Sequence, residues 1–183
     1  FGLQKILLIY RDGTINRKSC GTRYIEKLSD LKIIPEAKQA LKLLSEKGFK
    51  FLVITNQAGI NKGIINKKDI KKIHDFIKKD FQQNGIDILD FYVCPHEDYE
   101  NCKCRKPMPG MFYKCQEDYN INLEKVMYVG DDIKDCYAAK NAGSNFIFVG
   151  NPEELKYTEF SSSKCYENLF EAVDDILEFY NKG

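Results

Sequence analysis

At 183 residues, 43% hydrophobic and 30% charged, the chain has the make-up of one globular domain, able to bury about 70% of its unfolded surface. Its 28 basic residues are balanced by 27 acidic ones, a net charge of +1, so no bulk field selects nucleic acid or an anionic membrane. No apolar run approaches the ~20 residues of a bilayer span and no signal peptide is visible, so a cytoplasmic protein, monomeric or a small homo-oligomer, is expected.

The first segment, Lys5 to Tyr10 (KILLIY), is a short Ile- and Leu-rich run suited to a strand buried on both faces. Arg11-Asp12-Gly13-Thr14 follows, and Asp-Gly stops a strand and turns the backbone. A carboxylate there stands at the carboxyl end of a parallel strand, where open α/β sheets place their ligands. Residues 15 to 34 have no clear period and read as a long loop carrying Gly21, Arg23 and Tyr24, too short for a cap domain. Pro35 opens a helix with Ala40, Leu41, Leu43 and Leu44 as its apolar stripe, and Gly48 stops it. Phe49 to Thr55 is the second strand and Asn56 to Gly59 a turn. Lys67 to Gln83 is a helix with Ile70, Ile73, Ile77 and Phe81 inward; His74, set among lysines, is expected at the surface or boundary. Ile86 to Val93 is a third strand, followed by a cysteine-rich loop. A helix over Met111 to Tyr119, a strand over Val126 to Val129 and a helix over Ile133 to Ala142 come next. A fifth strand, Asn145 to Val149, and a last helix, Leu169 to Tyr180, complete the chain. Strands alternating with helices predict a doubly wound α/β domain with a parallel sheet and right-handed crossovers.

The seven cysteines are odd in number and three of them cluster, which favours metal binding in a reducing compartment over a disulfide framework. Cys94-Pro95-His96 and Cys102-Lys103-Cys104 offer three thiolates and one imidazole, the donor set of a closed tetrahedral zinc site. Such an ion would brace the loop leading into Arg105 and Lys106 rather than catalyse. Cys115 and Cys136 read as small core residues within helices; Cys20 and Cys165 have no evident partner.

Three further pieces suit a phosphate ester. Thr55 ends a buried strand, where its hydroxyl and the following backbone N–H groups could hold phosphate oxygens. Arg105 and Lys106 pair a planar fork of donors with a point charge. Asp131, Asp132 and Asp135 follow another strand, where hard oxygen ligands suit Mg²⁺, although Asp132 could simply cap the next helix.

In order these segments read RDGT, ITNQAGI, CRKPMPGM and VGDDIKD, a succession that resembles the haloacid dehalogenase superfamily of phosphatases over residues 5 to about 150. TNQAGI, CPH with C-x-CRKP, and PGM resemble its small zinc-loop branch, which holds the D,D-heptose 1,7-bisphosphate and histidinol-phosphate phosphatases. Asn61-Lys62-Gly63 and PMPGM lean towards the heptose enzymes. The resemblance implies hydrolysis of a small phosphorylated metabolite in two steps. The first Asp of the D-x-D-G-T motif would attack phosphorus, and Asp12 would serve as general acid and base. Thr55 and Lys106 would neutralise the phosphoryl group, with Asn56, Gln57 and Arg105 facing substrate. Mg²⁺ would be held by the first Asp, the Asp12 carbonyl and Asp131; structural Zn²⁺ by Cys94, His96, Cys102 and Cys104. The first Asp is Tyr10 here. A phenol with pKa near 10 is a poor nucleophile and metal ligand, so this form is expected to be impaired or inactive, or a phosphosugar-binding pseudophosphatase. A nucleic-acid 3′-phosphatase is disfavoured by the near-neutral charge.

Overall fold

The computed structural model describes residues 5–19 and 24–182; Cys20, Gly21 and Arg23 lie outside them. Six parallel strands run β1 (Lys5–Tyr10), β2 (Phe49–Asn56), β3 (Ile88–Cys94), β4 (Met127–Gly130), β5 (Asn145–Val149) and β6 (Cys165–Tyr166). Between them lie α1 (Pro35–Glu46), α2 (Lys67–Gln82), α3 (Gly110–Tyr119), α4 (Ile133–Ala142) and, after β6, α5 (Leu169–Asn181). The strand order is β3-β2-β1-β4-β5-β6, so the winding reverses between β1 and β4. The carboxyl ends of β1, β2 and β4 converge there, at a topological switch point.

Period-two alternation builds two cores. Leu7, Ile9, Phe51, Val53 and Val129 pack on one face against α1, α2 and α5 through Leu41, Leu44, Ile73, Ile77 and Ile176. Ile6, Leu8, Leu52, Ile54 and Tyr128 pack on the other against α3 and α4 through Phe112, Cys115, Ala138 and Ala139. Cys115 and Cys136 are both buried, as the sequence suggests. Among the described residues the β1–α1 connection holds only a short 3-10 turn, Leu28–Asp30, and bridges of Asn16 to Asp12 and Ile33, so no large cap covers the site.

Three features differ from the sequence reading. Leu43 is 42% exposed, because the α1 stripe runs Ala37, Ala40, Leu41, Leu44 and leaves Leu43 to one side. His74 is buried, completing the α2 stripe between Ile73 and Ile77. The two-residue β6, parallel to β5, has no counterpart in the five strands read from the sequence.

At the amino-terminal ends of β1 and β4 the hydroxyl of Tyr180, from α5, donates to the Ile6 carbonyl and accepts from the Met127 N–H at 3.0 Å. At the outer strand β3, Lys78 Nζ donates to the Leu89 carbonyl at 3.3 Å and Asp90 Oδ1 accepts from the Phe91 N–H at 2.8 Å.

Candidate active site

The turn after β1 folds around one carbonyl. Arg11 O accepts from the N–H groups of Thr14, Ile15 and Asn16 at 3.2, 2.8 and 3.2 Å. Gly13 has φ +84°, and a Cβ there would stand 2.0 Å from Asp131 Oδ2, so the turn requires glycine. Arg11 is wholly buried; its Nε and one terminal nitrogen donate to Asp12 Oδ1 at 3.2 and 2.8 Å, and the other nitrogen donates to His74 Nε2 at 3.0 Å. His74 in turn stacks on Phe91 at 4.2 Å and 10°. Burial, reinforced by the Arg11 charge, pushes His74 down to about 3, so its ring is neutral.

Both Asp12 oxygens are taken. Asn16 Nδ2 donates to Oδ1 at 3.0 Å and Gln57 Nε2 to Oδ2 at 2.8 Å. Burial alone would raise this carboxyl, but Arg11 and the Asn16, Arg11 and Gln57 hydrogen bonds outweigh it and hold it below its ordinary range. Gln57 also donates to the Thr55 hydroxyl at 2.9 Å, so Asp12, Gln57 and Thr55 form one chain of contacts. Thr55 is wholly buried, and the Gln57 N–H is spent on the Cys94 carbonyl at 2.7 Å. Asn56 does not face outward alone: its Oδ1 accepts from the Lys106 N–H at 3.1 Å and its Nδ2 donates to the Lys106 carbonyl at 3.4 Å.

Lys106 is buried with its Nζ on Asp135 Oδ1 at 2.6 Å and on the Tyr128 hydroxyl at 3.2 Å. The same ammonium lies 3.4 Å from the centre of the Tyr10 ring, a cation–π contact. Tyr10 is half-buried; burial first, then the carboxylates of Asp12, Asp135 and Asp131, raise its phenol well above the ordinary value, so it stays protonated. Asp135 is the hub of this layer: Tyr128 donates to its Oδ1 at 2.6 Å, and the N–H groups of Asp131 and Asp132 donate to its Oδ2 at 3.1 and 3.2 Å. A Cβ on Gly130 would lie 2.5 Å from Asp135, so glycine there permits this close approach. Asp132 caps α4 through the Lys134 N–H at 2.8 Å and takes no place in the site.

Asp131 is buried with Oδ2 on Lys18 Nζ at 2.8 Å, while Oδ1 has no partner among the described residues. Burial pushes its carboxyl up to about 6 against the pull of Lys18. That Oδ1 and the Asp12 backbone carbonyl are oxygens of the kind Mg²⁺ takes. A protonated phenol at position 10 and an ammonium already seated on Asp131 do not fit that hard, strongly hydrated cation.

The cysteine loop fits its ion well. Cys94 Sγ lies 3.6 Å from Cys102 Sγ and 2.8 Å from Cys104 Sγ, and Cys102 lies 3.6 Å from Cys104. His96 Nδ1 is 3.4 and 3.2 Å from the sulfurs of Cys94 and Cys104, and all four donor atoms fall within 4.8 Å of one another. Zn–S bonds of 2.3 Å place tetrahedral sulfurs about 3.8 Å apart, close to the two 3.6 Å separations, whereas Cys94 and Cys104, 2.8 Å apart, would have to open by about 1 Å. Burial opposes ionisation of Cys102, but the Arg105 N–H, 3.3 Å from its sulfur, helps draw the thiol below its usual value. Arg105 sends a guanidinium nitrogen to the His96 carbonyl at 3.2 Å, so it braces this loop.

The structure thus gathers Tyr10, Asp12, Thr55, Gln57, Lys106 and Asp131 at the switch point, with Asn56 clamping the Lys106 backbone. Sequence reasoning missed Arg11, His74 and Lys18, and gave Asp135 no role beyond a carboxylate at a strand end. For Asp135 a signal existed: Asp132-x-x-Asp135 is a capping box, which fixes the second carboxylate at the strand end.

Comparison with known proteins agrees with this fold. The profile of the family described as Polynucleotide kinase 3 phosphatase matches residues 5–146. A D-glycero-alpha-D-manno-heptose-1,7-bisphosphate 7-phosphatase of Photorhabdus laumondii is 34% identical over 181 residues, covering 95% of this chain and 97% of that one. A D-glycero-beta-D-manno-heptose-1,7-bisphosphate 7-phosphatase of Helicobacter pylori is 32% identical over 177 residues, covering 95% and 98%. The crystal structure of D,D-heptose 1,7-bisphosphate phosphatase from B. bronchiseptica, complexed with magnesium and phosphate, superposes with a TM-score of 0.87 at 28% identity, covering 95% of this chain and 98% of that one. The chain therefore belongs to the polynucleotide kinase 3 phosphatase sequence family within the haloacid dehalogenase superfamily, on the branch of the D,D-heptose 1,7-bisphosphate phosphatases, which are phosphoric monoester hydrolases.

Proposed function

We propose that the switch-point site takes a small phosphate monoester, D-glycero-D-manno-heptose 1,7-bisphosphate first among candidates, and that the Tyr10 form hydrolyses it at rates near background. The observation that carries this is the Lys106 Nζ contact with the Tyr10 ring at 3.4 Å: the ammonium suited to a phosphoryl group faces an aromatic ring where the family motif has a carboxylate. The identities of the heptose phosphatases above support the substrate class.

The chemistry follows from the residues that remain. With a carboxylate at position 10, one of its oxygens forms a bond to phosphorus as the bond to the ester oxygen breaks. To act as the acid, Asp12 has first to take up a proton against the Arg11, Asn16 and Gln57 contacts that hold it ionised; it then gives that proton to the ester oxygen, and the resulting carboxylate takes a proton from the water that attacks the acyl phosphate. Gln57 fixes Asp12 against Thr55, and Lys106, anchored by Asp135, meets the charge on the phosphoryl oxygens. Tyr10, held as a protonated phenol, supplies neither the nucleophile nor the negative charge. Mg²⁺ dependence belongs to the carboxylate form, since the residues of the Tyr10 form do not fit the ion.

Tyr10→Asp tests this reading. Released phosphate is measured over heptose bisphosphates, other sugar bisphosphates and histidinol phosphate, with and without Mg²⁺. Activity should rise from background by at least ~10³-fold on the best substrate, since the substitution restores covalent catalysis. Adding Asp12→Asn should suppress it again by ~10²-fold or more. A folded Tyr10→Asp protein that hydrolyses none of the panel overturns the catalytic reading. A second reading, a phosphosugar-binding pseudophosphatase, is favoured by the pairing of Asp12, Asp131 and Asp135 each with a cation; it takes the lead if the unaltered chain binds sugar phosphates without turnover.

A further inference from the structure

Each carboxylate around position 10 is matched by a cation of the chain itself. Arg11 lies 2.8 Å from Asp12, Lys106 lies 2.6 Å from Asp135, and Lys18 lies 2.8 Å from Asp131. Tyr10 adds no charge, so each of these three pairs is neutral in itself, and Asp132 and Glu154 add their charges on the Lys18 side. The Lys18 contact has its own architecture. The side chain passes over the Gly13 turn, where a Cβ would stand 2.8 Å from Lys18 Cε and 2.0 Å from Asp131 Oδ2, so only glycine lets ammonium and carboxylate meet. The Lys18 side chain is 54% exposed, whereas Lys106 is buried and engages Asp135, Tyr128 and the Tyr10 ring. An ammonium has three donors and gives up its hydration more readily than Mg²⁺.

We propose that the Lys18 ammonium, seated on Asp131, takes the part of the divalent cation in this chain, so that the switch-point site binds a phosphate monoester dianion without divalent metal. The inference rests on the phosphoester reading above and assigns the half-exposed Lys18 as the group that meets the phosphate, while Lys106 is buried against the Tyr10 ring. Lys18 is a binding residue in this assignment, and its charge, not its length alone, carries the role.

Two titrations on the full chain, purified with its zinc and without chelator, test it. Mn²⁺, a paramagnetic stand-in for Mg²⁺, is followed by electron paramagnetic resonance, and inorganic phosphate by calorimetry in buffer free of added divalent metal. The unaltered chain should bind phosphate equally well with and without Mn²⁺, and bind Mn²⁺ no tighter than millimolar. Lys18→Met should weaken phosphate by about tenfold and tighten Mn²⁺ by about tenfold, since one charge a few ångströms away is removed; Lys18→Arg should leave both close to the unaltered values. Micromolar Mn²⁺ affinity in the unaltered chain, phosphate binding that requires Mn²⁺, or a Lys18→Met protein unchanged in both titrations overturns the proposal. If Lys18→Met tightens Mn²⁺ but phosphate binds neither form with or without the metal, the anion half is overturned together with the phosphoester reading, and only the hold of Lys18 on the cation position stands.

Discussion

Arg11 carries a full charge at a position with no solvent exposure, and the chain meets that demand with two unlike partners, the Asp12 carboxylate and a neutral histidine. The consequence is measurable in acid. His74 titrates at about 3 when folded against about 6.5 unfolded, so between those values the unfolded chain binds more protons and stability falls as pH falls. This one group should contribute a slope of up to about 1.4 kcal/mol per pH unit below pH 6.5. Urea denaturation of His74→Phe at pH 7 and pH 4.5 should show a loss of about 1–3 kcal/mol at pH 7, from the unpaired guanidinium N–H, and a shallower acid decline than the unaltered chain. An identical acid slope in the two proteins would show that His74 does not carry the effect. Why the pairing escaped the sequence is plain. His74 stands 63 positions from Arg11 on a lysine-rich helix, so only the packing of α2 on the sheet reveals a polar partner inside. Asp12, Lys106 and Asp131, by contrast, were legible because each follows a buried strand or a fixed motif order.

The cysteine loop operates at the scale of an element. Cys94 closes β3, Cys102 and Cys104 lead into Lys106, and Asn56 at the end of β2 clamps both backbone groups of that lysine. The ligand set could be read from spacing because all four donors lie in one local segment. The Asn56 clamp spans 50 positions and could not be. A zinc ion held there would do more than close a loop: it would fix where Lys106 begins. Purified protein should carry about one zinc per chain by elemental analysis, as its donor set closes one tetrahedral site. Cys102→Ser should lose most of that metal and lower the melting temperature by several degrees or more, because metal binding is coupled to folding. A folded, never-chelated protein without zinc would remove the brace from this account.

Across the whole molecule, alternation of strands and helices predicted the parallel sheet and its two covered faces, while the strand order and the reversal between β1 and β4 came only with the tertiary fold. β6 was invisible because two residues leave no period to detect. The C-terminal helix was legible as amphipathic, but not the task of its Tyr180 hydroxyl, which joins β1 and β4 below the point where their ladder begins at Leu8 and Tyr128. Tyr180→Phe should cost about 1–3 kcal/mol in denaturant unfolding, since it leaves the Ile6 carbonyl and the Met127 N–H without that partner. No loss beyond a few tenths would mean the strands close the gap themselves.

The outer strands carry a last consequence, for crowding. A sheet grows by accepting a foreign strand on an open rim, and such growth underlies fibrils and irreversible clumping. One rim here is β6, only two residues long. On the other, the Leu89 carbonyl is already held by Lys78 and the Phe91 amide by Asp90, so an incoming chain must first dislodge the protein's own side chains. At high concentration the folded molecules therefore offer one another a poorer template on this rim than a bare strand would.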